Sequence, residues 1–412
     1  MLKNYIKLAL KVLRRRKFFT FISLFGISMT LVVLMLATAI LDNLFVPRAP
    51  ETRFERALTV YTLMMKSADG NGRRTGQPGY RFLDTNLRDL PGAEKVTIFS
   101  TAAPLPMYAN GRKIETHLRR TDAEYWQILD HQFIEGAPFT KADNDEGRFV
   151  AVITDDMRDQ LFAGTSALGK TIDVDGQRFR VIGVVRAVPI TRIAGFSEIW
   201  APIRTVKNPE FLRRTMDGFG GVVLARSKDD FPRMRAEFAR RVNALRPEDP
   251  HFKTVHAGLD TTFEAVARLF FRDPENGVLT LRLVLLAAAL LFMTLPTLNL
   301  ITINLSRIME RASEIGVRKA FGASSRALVG QFIVENVVLT LIGGIVGFIL
   351  AVVAIGVLND LSIIPYARFD VNLRIFVWGI LTAALFGVLS GVYPAWRMSR
   401  MQAVNALRGG AA

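Results

Sequence analysis

The chain has 412 residues, 50% hydrophobic and 22% charged, with a mean hydropathy of +0.25 and a formal net charge of +16. It is too apolar for an ordinary soluble protein and too charged to consist of membrane spans alone, so the composition indicates membrane helices joined to a folded polar domain. The absence of cysteine excludes a disulfide framework and a thiolate metal site.

The first segment, residues 1–17, carries seven lysines and arginines. Its apolar side chains, among them Ile6, Leu10 and Leu13, recur at helical spacing opposite the basic residues. This pattern predicts a cytoplasmic amphipathic helix that lies on the inner leaflet of the membrane. A plain basic flank that sets membrane orientation explains the composition equally well.

Four apolar stretches are each long enough to cross the hydrocarbon core, about 30 Å thick, as a helix. They are residues 18–41, 281–305, 328–358 and 375–396. The first is too long for the apolar region of a signal peptide and has no small-residue cleavage site after it. We therefore predict that it is a retained anchor and the first of four transmembrane helices.

Basic residues set the orientation of these predicted spans. Residues 1–17, 306–327 and 397–412 together hold 15 basic and two acidic residues, which accounts for thirteen of the sixteen net positive charges. All three segments are predicted to be cytoplasmic, so residues 42–280 and the short loop 359–374 lie outside. Membrane topology thus explains the basic excess. A nucleic-acid-binding protein would need a basic face on its folded domain, and this class is disfavoured.

Residues 42–280 change from membrane-like runs to alternating strands and short amphipathic helices. Strands are predicted at residues 95–100, 113–119, 149–154, 170–175, 179–185, 198–203 and 222–226. Helices are predicted at residues 81–90, 122–129, 155–162, 231–245 and 261–272. Because these elements mix without a regular strand–helix–strand repeat, we predict an α+β extracytoplasmic domain. Two subdomains are expected, with residues 136–188 inserted into the remainder.

The last predicted helix of this domain, residues 261–272, leads toward the span at 281–305. A helix continuous with that span would form a stalk between the domain and the membrane. Pro274 and the following Asn276-Gly277 pair favour a break before the span.

Residues 164–171 satisfy the G-x-x-x-x-G-K-[ST] pattern of a phosphate-binding loop, with Gly164, Gly169 and Lys170 at the defining positions. Such a loop needs a strand before it and a helix N-terminus after it. Here a predicted helix comes first and a predicted strand follows, and the segment is predicted to lie outside the cell, away from ATP. We therefore interpret it as a turn in which glycine supplies unusual backbone angles.

The sequence shows no convincing catalytic or metal-binding constellation. The four histidines, His117, His131, His251 and His256, lack the spacing of metal ligands, and no serine-nucleophile elbow occurs. We therefore predict a non-catalytic subunit that binds no metal or cofactor directly.

Small residues in the last two predicted spans indicate close helix packing. Gly343, Gly344 and Gly347 lie along the third span, and Gly387 and Gly391 form a G-x-x-x-G motif in the fourth. Packing among the spans of one chain and a dimer seam explain this spacing equally well.

Glu335 is an intramembrane polar residue within an otherwise apolar helical pattern. Ionisable residues in such positions are often functional. Glu335 lies only about two turns from the predicted cytoplasmic edge. Pairing with a basic residue of the inner loop is therefore favoured over proton transport.

The inner loop between the second and third predicted spans carries the most informative pattern. Residues 311–323 read R-A-S-E-I-G-V-R-K-A-F-G-A, and Phe332 to Glu335 give F-x-x-E. Near the C-terminus, residues 391–398 and 406–408 read G-V-Y-P-A-W-R-M and A-L-R. These segments resemble the FtsX-like permease family, and most closely the MacB-type branch of ABC transporters. Residues 161–184 also resemble the periplasmic core domain of that branch.

The resemblance implies a permease subunit of the bacterial inner membrane, multi-pass, with both termini in the cytoplasm. It would form a homodimer, or a heterodimer with a paralogous permease, and would work with an ABC ATPase that binds ATP and Mg²⁺. MacB itself carries a fused N-terminal ATPase, which this sequence does not show, so the ATPase is expected to act in trans. In the family the inner-loop helix contacts the ATPase, and movement is transmitted through the spans to the external domain (mechanotransmission). The matched coupling positions are Glu310, Arg311, Glu314, Ile315, Gly316, Arg318, Lys319, Ala320 and Gly322.

Three functions compete at this point. The MacB-type features of the external domain favour efflux of a periplasmic substrate with a membrane-fusion adaptor and an outer-membrane channel. The alternative within the same superfamily is a lipoprotein-releasing or cell-wall-hydrolase-regulating permease. A membrane sensory receptor belongs to another class and predicts two spans and a cytoplasmic signalling module, whereas the predicted inner segments here are short.

Overall fold

The computed structural model describes residues 2–15, 17–67, 72–109, 112–273, 275–310, 317, 321 and 324–399. The chain forms two compact units. The helical unit comprises Met1–Asn43, Val284–Ile363 and Arg368–Ala412, and the α+β unit comprises Leu44–Leu283 with Ile364–Ala367.

In chain order the helices are α1 (Leu2–Arg15), α2 (Lys17–Phe45), α3 (Tyr80–Leu87), α4 (Tyr125–Ile128), α5 (Lys141–Asp145), α6 (Asp155–Phe162), α7 (Phe231–Ala244), α8 (Thr262–Phe271), α9 (Gly277–Glu310), α10 (Ser325–Asp360) and α11 (Leu373–Ser399). The strands are β1 (Ala57–Val60), β2 (Leu63–Ser67), β3 (Arg73–Gly76), β4 (Ala93–Ser100), β5 (Ala103–Ala109), β6 (Arg112–Thr121), β7 (Phe133–Gly136), β8 (Val150–Thr154), β9 (Thr171–Val174), β10 (Gln177–Val185), β11 (Ile199–Pro202), β12 (Phe219–Ala225) and β13 (Phe252–Ala257).

Helices α2, α9, α10 and α11 cover the four stretches predicted as spans. In the described part of the chain, Thr20–Phe45 and Ile333–Asp360 are long and apolar enough to cross a membrane by length and composition. Shorter apolar helical stretches are Gly277–Phe292 and Leu373–Leu385. Membrane helices are therefore part of the architecture, and the count of four spans stays a prediction.

Apolar side chains from three helices pack together inside the helical unit. Ile27 and Leu31 of α2 pack with Leu339 of α10 and with Leu13 of α1. Leu13 of α1 is buried in this contact, whereas Ile6 and Leu10 of the same helix are exposed.

The α+β unit is built on a ten-stranded mixed sheet of order β1-β12-β4-β6-β11-β8-β10-β7. Strand β5 pairs with β6 and β9 pairs with β10 outside this path, and β13-β2-β3 form a second, small sheet. Most neighbours are antiparallel, but β10–β8 and β11–β6 are parallel. Mixed pairing with helices between the strands fits the predicted α+β class.

Burial explains why these segments form strands and helices. Strands β8 and β12 are buried at every position and read as continuous apolar runs. Strand β9 alternates between exposed and buried residues, which is the pattern of a half-buried strand. Helix α7 buries Met234, Phe238 and Val242 at helical spacing, against a core that includes Phe82 of α3.

The structure differs from the expected insertion of a separate subdomain at residues 136–188. Strands β8, β9 and β10 belong to the same sheet as β1 and β12. The reason is β11, which pairs in parallel with β6 and antiparallel with β8, so the hydrogen-bond ladder continues across the sheet. Strands β1, β2, β3, β5, β7 and β13 also occur where none was predicted.

The helical structure is interrupted between α8 and α9. Arg272, which follows α8, has a left-handed backbone with φ +49°. Asp273 then accepts hydrogen bonds from the amides of Glu275 and Asn276, at 2.9 and 3.0 Å, and α9 begins at Gly277. The two helices are therefore separate.

Candidate functional site

The predicted ATPase-coupling residues belong to the segment between α9 and α10. Glu310 is the last residue of α9, and its side chain is outside the described part. The other predicted coupling residues lie outside the described residues altogether: Arg311, Glu314, Ile315, Gly316, Arg318, Lys319, Ala320 and Gly322. Their role in contacting the ATPase therefore stays a prediction.

Three residues of this segment are described, and two of them, Val317 and Phe321, present apolar surface. Val317 is 44% exposed and Phe321 is 88% exposed. The Phe321 amide donates to the Val317 carbonyl at 3.1 Å, a four-residue step typical of a helical turn. The two side chains therefore share one face. Neither residue was predicted as a coupling position, although their apolar i, i+4 spacing is visible in the sequence.

Gly343 and Gly347 of α10 lie close to α2. A methyl group added to Gly343 would lie 2.9 Å from Ile27 Cγ2, and one added to Gly347 would lie 3.0 Å from the Ser28 carbonyl oxygen. Ser28 Oγ also donates to the Gly343 carbonyl at 2.8 Å. Small residues thus let α2 and α10 approach within one chain.

Gly344, another predicted seam residue, lies at the contact between α10 and α11. A methyl group on Gly344 would lie 2.7 Å from Ile380 Cδ1 of α11. Gly387 and Gly391 fall within α11, but their surroundings are outside the described part of the chain.

Glu335 lies on the packed side of α10. Only 3% of the residue is exposed, and Asn336 and Thr340 beside it are also buried. The carboxyl is therefore enclosed within the helical unit. Its predicted pairing with the inner loop stays a prediction.

The segment resembling a phosphate-binding loop has the reverse order of elements. Helix α6 ends just before Gly164, and strand β9 follows Lys170. Gly164 and Gly169 have φ of +74° and +78°, which is the conformation that favours glycine. Lys170 Nζ donates to Thr165 Oγ1 at 2.8 Å and lies over the ring of Phe162. In this segment the two glycines form the turn, and the lysine side chain interacts with residues of the same turn.

A buried polar cluster in the α+β unit was not predicted, and it begins at Glu51. The carboxylate accepts hydrogen bonds from the amides of Ala194 and Gly195, at 3.0 and 3.1 Å. Arg192 lies 3.7 Å from the same carboxylate and donates to the Val46 carbonyl at 3.0 Å. Burial raises the pKa of Glu51, against the opposing effect of Arg192 and the two amides. The backbone just after α2 is thereby tied to the loop of residues 189–197.

The same loop is held from the other side by β6 and α4. Arg119 donates to the carbonyls of Ala194 and Ile193, at 2.6 and 2.8 Å. Tyr125 donates to the Ala194 carbonyl at 2.8 Å, and Trp200 donates to the Tyr125 hydroxyl at 3.1 Å. Burial lowers the pKa of Arg119 and raises the pKa of Tyr125 to about 12. Buried side chains therefore satisfy much of the polar backbone of this loop.

A second buried group anchors α8. Asp260 lies 2.9 Å from Arg268 of α8, and its backbone exchanges hydrogen bonds of 2.7 and 2.8 Å with Thr59 of β1. Burial raises the pKa of Asp260 to about 6, although the charge of Arg268 opposes the shift. Helix α8 is thus joined to the edge of the large sheet.

Comparison with known proteins gives two family matches. Residues 20–241 match the MacB-like periplasmic core domain. Residues 286–403 match the FtsX-like permease C-terminal domain. The first match alone covers more than half of the chain, and the second contains the whole segment between α9 and α10.

The relatives are ABC transporter permeases. The ABC transporter permease YknZ of Bacillus subtilis is 25% identical over 330 residues, which cover 79% of each chain. The macrolide export ATP-binding/permease protein MacB of Pasteurella multocida is 23% identical over 342 residues, covering 82% of this chain and 50% of that protein. The chain thus aligns with about half the length of MacB. Among solved structures, the extracellular domain of YknZ is 20% identical, with a TM-score of 0.37, and the match covers 48% of this chain and 99% of that one.

Proposed function

Because the chain belongs to the FtsX-like permeases that carry a MacB-like periplasmic core domain, we propose that it couples a separate ABC ATPase to movement of its α+β unit. It is thereby an ABC transporter permease of the FtsX/MacB family. The proposed part is the mechanism: ATP-driven movement enters at the segment between α9 and α10 and leaves as movement outside the membrane. The observation that carries it is the exposed apolar face of Val317 and Phe321 at the position of the family's inner-loop signature.

The proposed topology follows from the charge distribution. Both termini and the segment between α9 and α10 lie in the cytoplasm of a bacterial cell, and the α+β unit lies outside the inner membrane. Displacement of α2 would then reach the α+β unit at Val46, whose carbonyl is held by Arg192. The ATPase, with its ATP and Mg²⁺, is supplied by another polypeptide.

For the cargo we favour export of a periplasmic substrate through an adaptor and an outer-membrane channel, with the permease acting as a dimer. The support is that the MacB relative is named for macrolide export and that the alignment with it covers 82% of this chain. Expression in an efflux-deficient host, with and without a cognate adaptor, tests this choice. Equal macrolide resistance in both strains would count against it.

The coupling role is tested by co-purifying the full chain with a candidate ABC ATPase subunit from the same organism. Phe321→Asp and the pair Glu314→Lys with Gly316→Leu should each reduce ATPase retention at least tenfold. Leu361→Asp, which changes an exposed leucine at the other end of α10, is the matched control and should retain it. Full binding and ATP turnover in the variants, or ATP hydrolysis by the purified chain alone, would refute the proposal.

A further inference from the structure

Five exposed cations lie on the small sheet, directly after α8 and near the start of α9, and we infer that they bind anionic phospholipid headgroups of the outer leaflet. They are Arg73, Arg74, Lys253, Arg272 and Arg282. The inference rests on the proposed membrane topology, in which α9 enters the membrane from outside.

The small sheet lies against the segment that precedes α9. Lys66 of β2 is paired in register with Arg73 of β3, and Lys66 Nζ lies 2.5 Å from Glu275 Oε1. Hydrogen bonds from the amides of Asn276 and Glu275 hold the pKa of Asp273 below its ordinary value, and the charge of Arg73 adds to this effect. The charged face of the sheet is therefore next to the start of α9.

The first turns of α9 combine cation and apolar surface. A methyl group on the buried Gly277 would lie 3.0 Å from the Ala267 carbonyl, so α9 begins packed against α8. Just beyond, Leu279 and Leu283 are 58% and 55% exposed, and Arg282 between them is also exposed. A cation on an aliphatic stem beside exposed leucines suits the boundary between headgroups and acyl chains.

The local charge is not neutralised within the described residues. Most nearby acidic groups have other partners: Glu275 pairs with Lys66, Glu264 with Arg235 and Asp260 with Arg268. Asp273 interacts with the charge of Arg73 and offsets part of it, so the five cations together keep a net positive charge. The five cations form no ion pair with a described carboxylate. An anion carrying acyl chains fits both the unpaired charge and the exposed leucines, whereas free phosphate would use only the charge.

Native mass spectrometry of the full chain in detergent tests the inference, with dioleoylphosphatidylglycerol and dioleoylphosphatidylcholine as probes. The wild type should bind the anionic lipid more tightly. The triple variant Arg73→Gln/Arg272→Gln/Arg282→Gln should lose this affinity by roughly a hundredfold, if each cation contributes about fivefold. The control Lys141→Gln/Arg180→Gln/Arg186→Gln removes three exposed cations elsewhere on the α+β unit and should change it less than twofold.

Several outcomes would overturn the inference: equal affinity for the two lipids, equal losses in the two triple variants, or full displacement of the lipid by millimolar inorganic phosphate. An unchanged thermal midpoint of the triple variant excludes misfolding. Because the chain has no cysteine, Thr75→Cys on exposed β3 provides a unique site for a membrane-impermeant maleimide. If this cysteine is not labelled in intact spheroplasts, the proposed topology itself is refuted. Labelling without lipid preference would refute the lipid site alone.

Discussion

The guanidinium of Arg192 lies 3.7 Å from the carboxylate of Glu51, and less than 5% of either side chain is exposed. Both groups also bond to backbone, Glu51 to two amides of the 189–197 loop and Arg192 to the Val46 carbonyl. Two charges are thus removed from water at the point where the chain leaves α2. A buried pair of this kind is sensitive to the loss of one partner, because the remaining charge is left uncompensated.

Replacing Arg192 with methionine should destabilise the α+β unit by about 3 kcal/mol. The double variant Glu51→Gln/Arg192→Met should recover at least half of the loss, because the carboxylate that the single change leaves without Arg192 is removed as well. Urea unfolding of the full chain in detergent measures both values, with Trp126 and Trp200 as fluorescent reporters in a Trp378→Phe/Trp396→Phe background. Equal destabilisation in the single and double variants would show that the ion pair is energetically unimportant.

Gly347→Ala should lower the stability of the helical unit by about 1 to 3 kcal/mol, since the new methyl group meets the Ser28 carbonyl at 3.0 Å. Gly356→Ala is the matched control in the same helix, with no described atom within 4 Å of the added methyl. It should be neutral, or slightly stabilising through helix propensity. Thermal unfolding in detergent compares them, and indistinguishable midpoints would contradict close packing at Gly347.

Asp122 should make the α+β unit less stable as the pH rises. Its carboxylate accepts from Thr97 Oγ1 at 2.5 Å and from the Ile98 amide at 3.0 Å, yet burial raises its pKa from 3.8 to about 7. A raised carboxyl pKa contributes stability that is complete below pH 3.8 and is lost as the pH rises through 7. The loss should amount to roughly 4 kcal/mol.

The comparison of the wild type with Asp122→Asn isolates this effect. His131 acts in the opposite direction, because burial lowers its pKa to about 3, but it is present in both proteins and cancels in the difference. The unfolding free energy of the variant, relative to the wild type, should rise between pH 4 and pH 7 and level off above pH 8. A difference that is constant with pH would mean that Asp122 titrates normally.

Lys170→Gln should leave ATP turnover by the assembled transporter unchanged, because the Lys170 ammonium donates to Thr165 and lies over the ring of Phe162, both within its own segment. The folded protein should lose less than about 1 kcal/mol of stability. Steady-state ATPase assays of the reconstituted complex are the measurement. A loss of turnover comparable to that of Phe321→Asp would assign the segment a role that its order of elements does not support.

Local sequence patterns correctly predicted the helices whose periodicity and end signals lie within the segment itself. Helix α6 has the predicted bounds, and α7 differs by one residue, since both carry clear periodicity and end signals. Strand β5 was missed because Pro104 and Pro106 lower the strand propensity of the segment. The structure tolerates both prolines because β5 pairs only with β6, so it has an edge on which an amide is not needed.

Of the candidate sites, one could be predicted from the sequence and the other could not. The segment between α9 and α10 was identified by its resemblance to a family, and the physical pattern around Val317 and Phe321 was overlooked. The Glu51–Arg192 cluster had no sequence signal, because its members are 141 positions apart and bond mainly to backbone. Such a cluster appears only when the sheet has brought the 189–197 loop beside the end of α2.

The pairing of Thr59 with Asp260 has a consequence for biosynthesis. The two residues are 201 positions apart, and β1 pairs in the sheet with β12, which is also made late. At 5 to 20 residues per second, a ribosome needs roughly 10 to 40 s to extend the chain from one residue to the other. Until β12 is made, which takes most of that interval, the earliest strand of the nascent domain has neither neighbour, and its apolar residues are exposed to the surroundings of the emerging polypeptide.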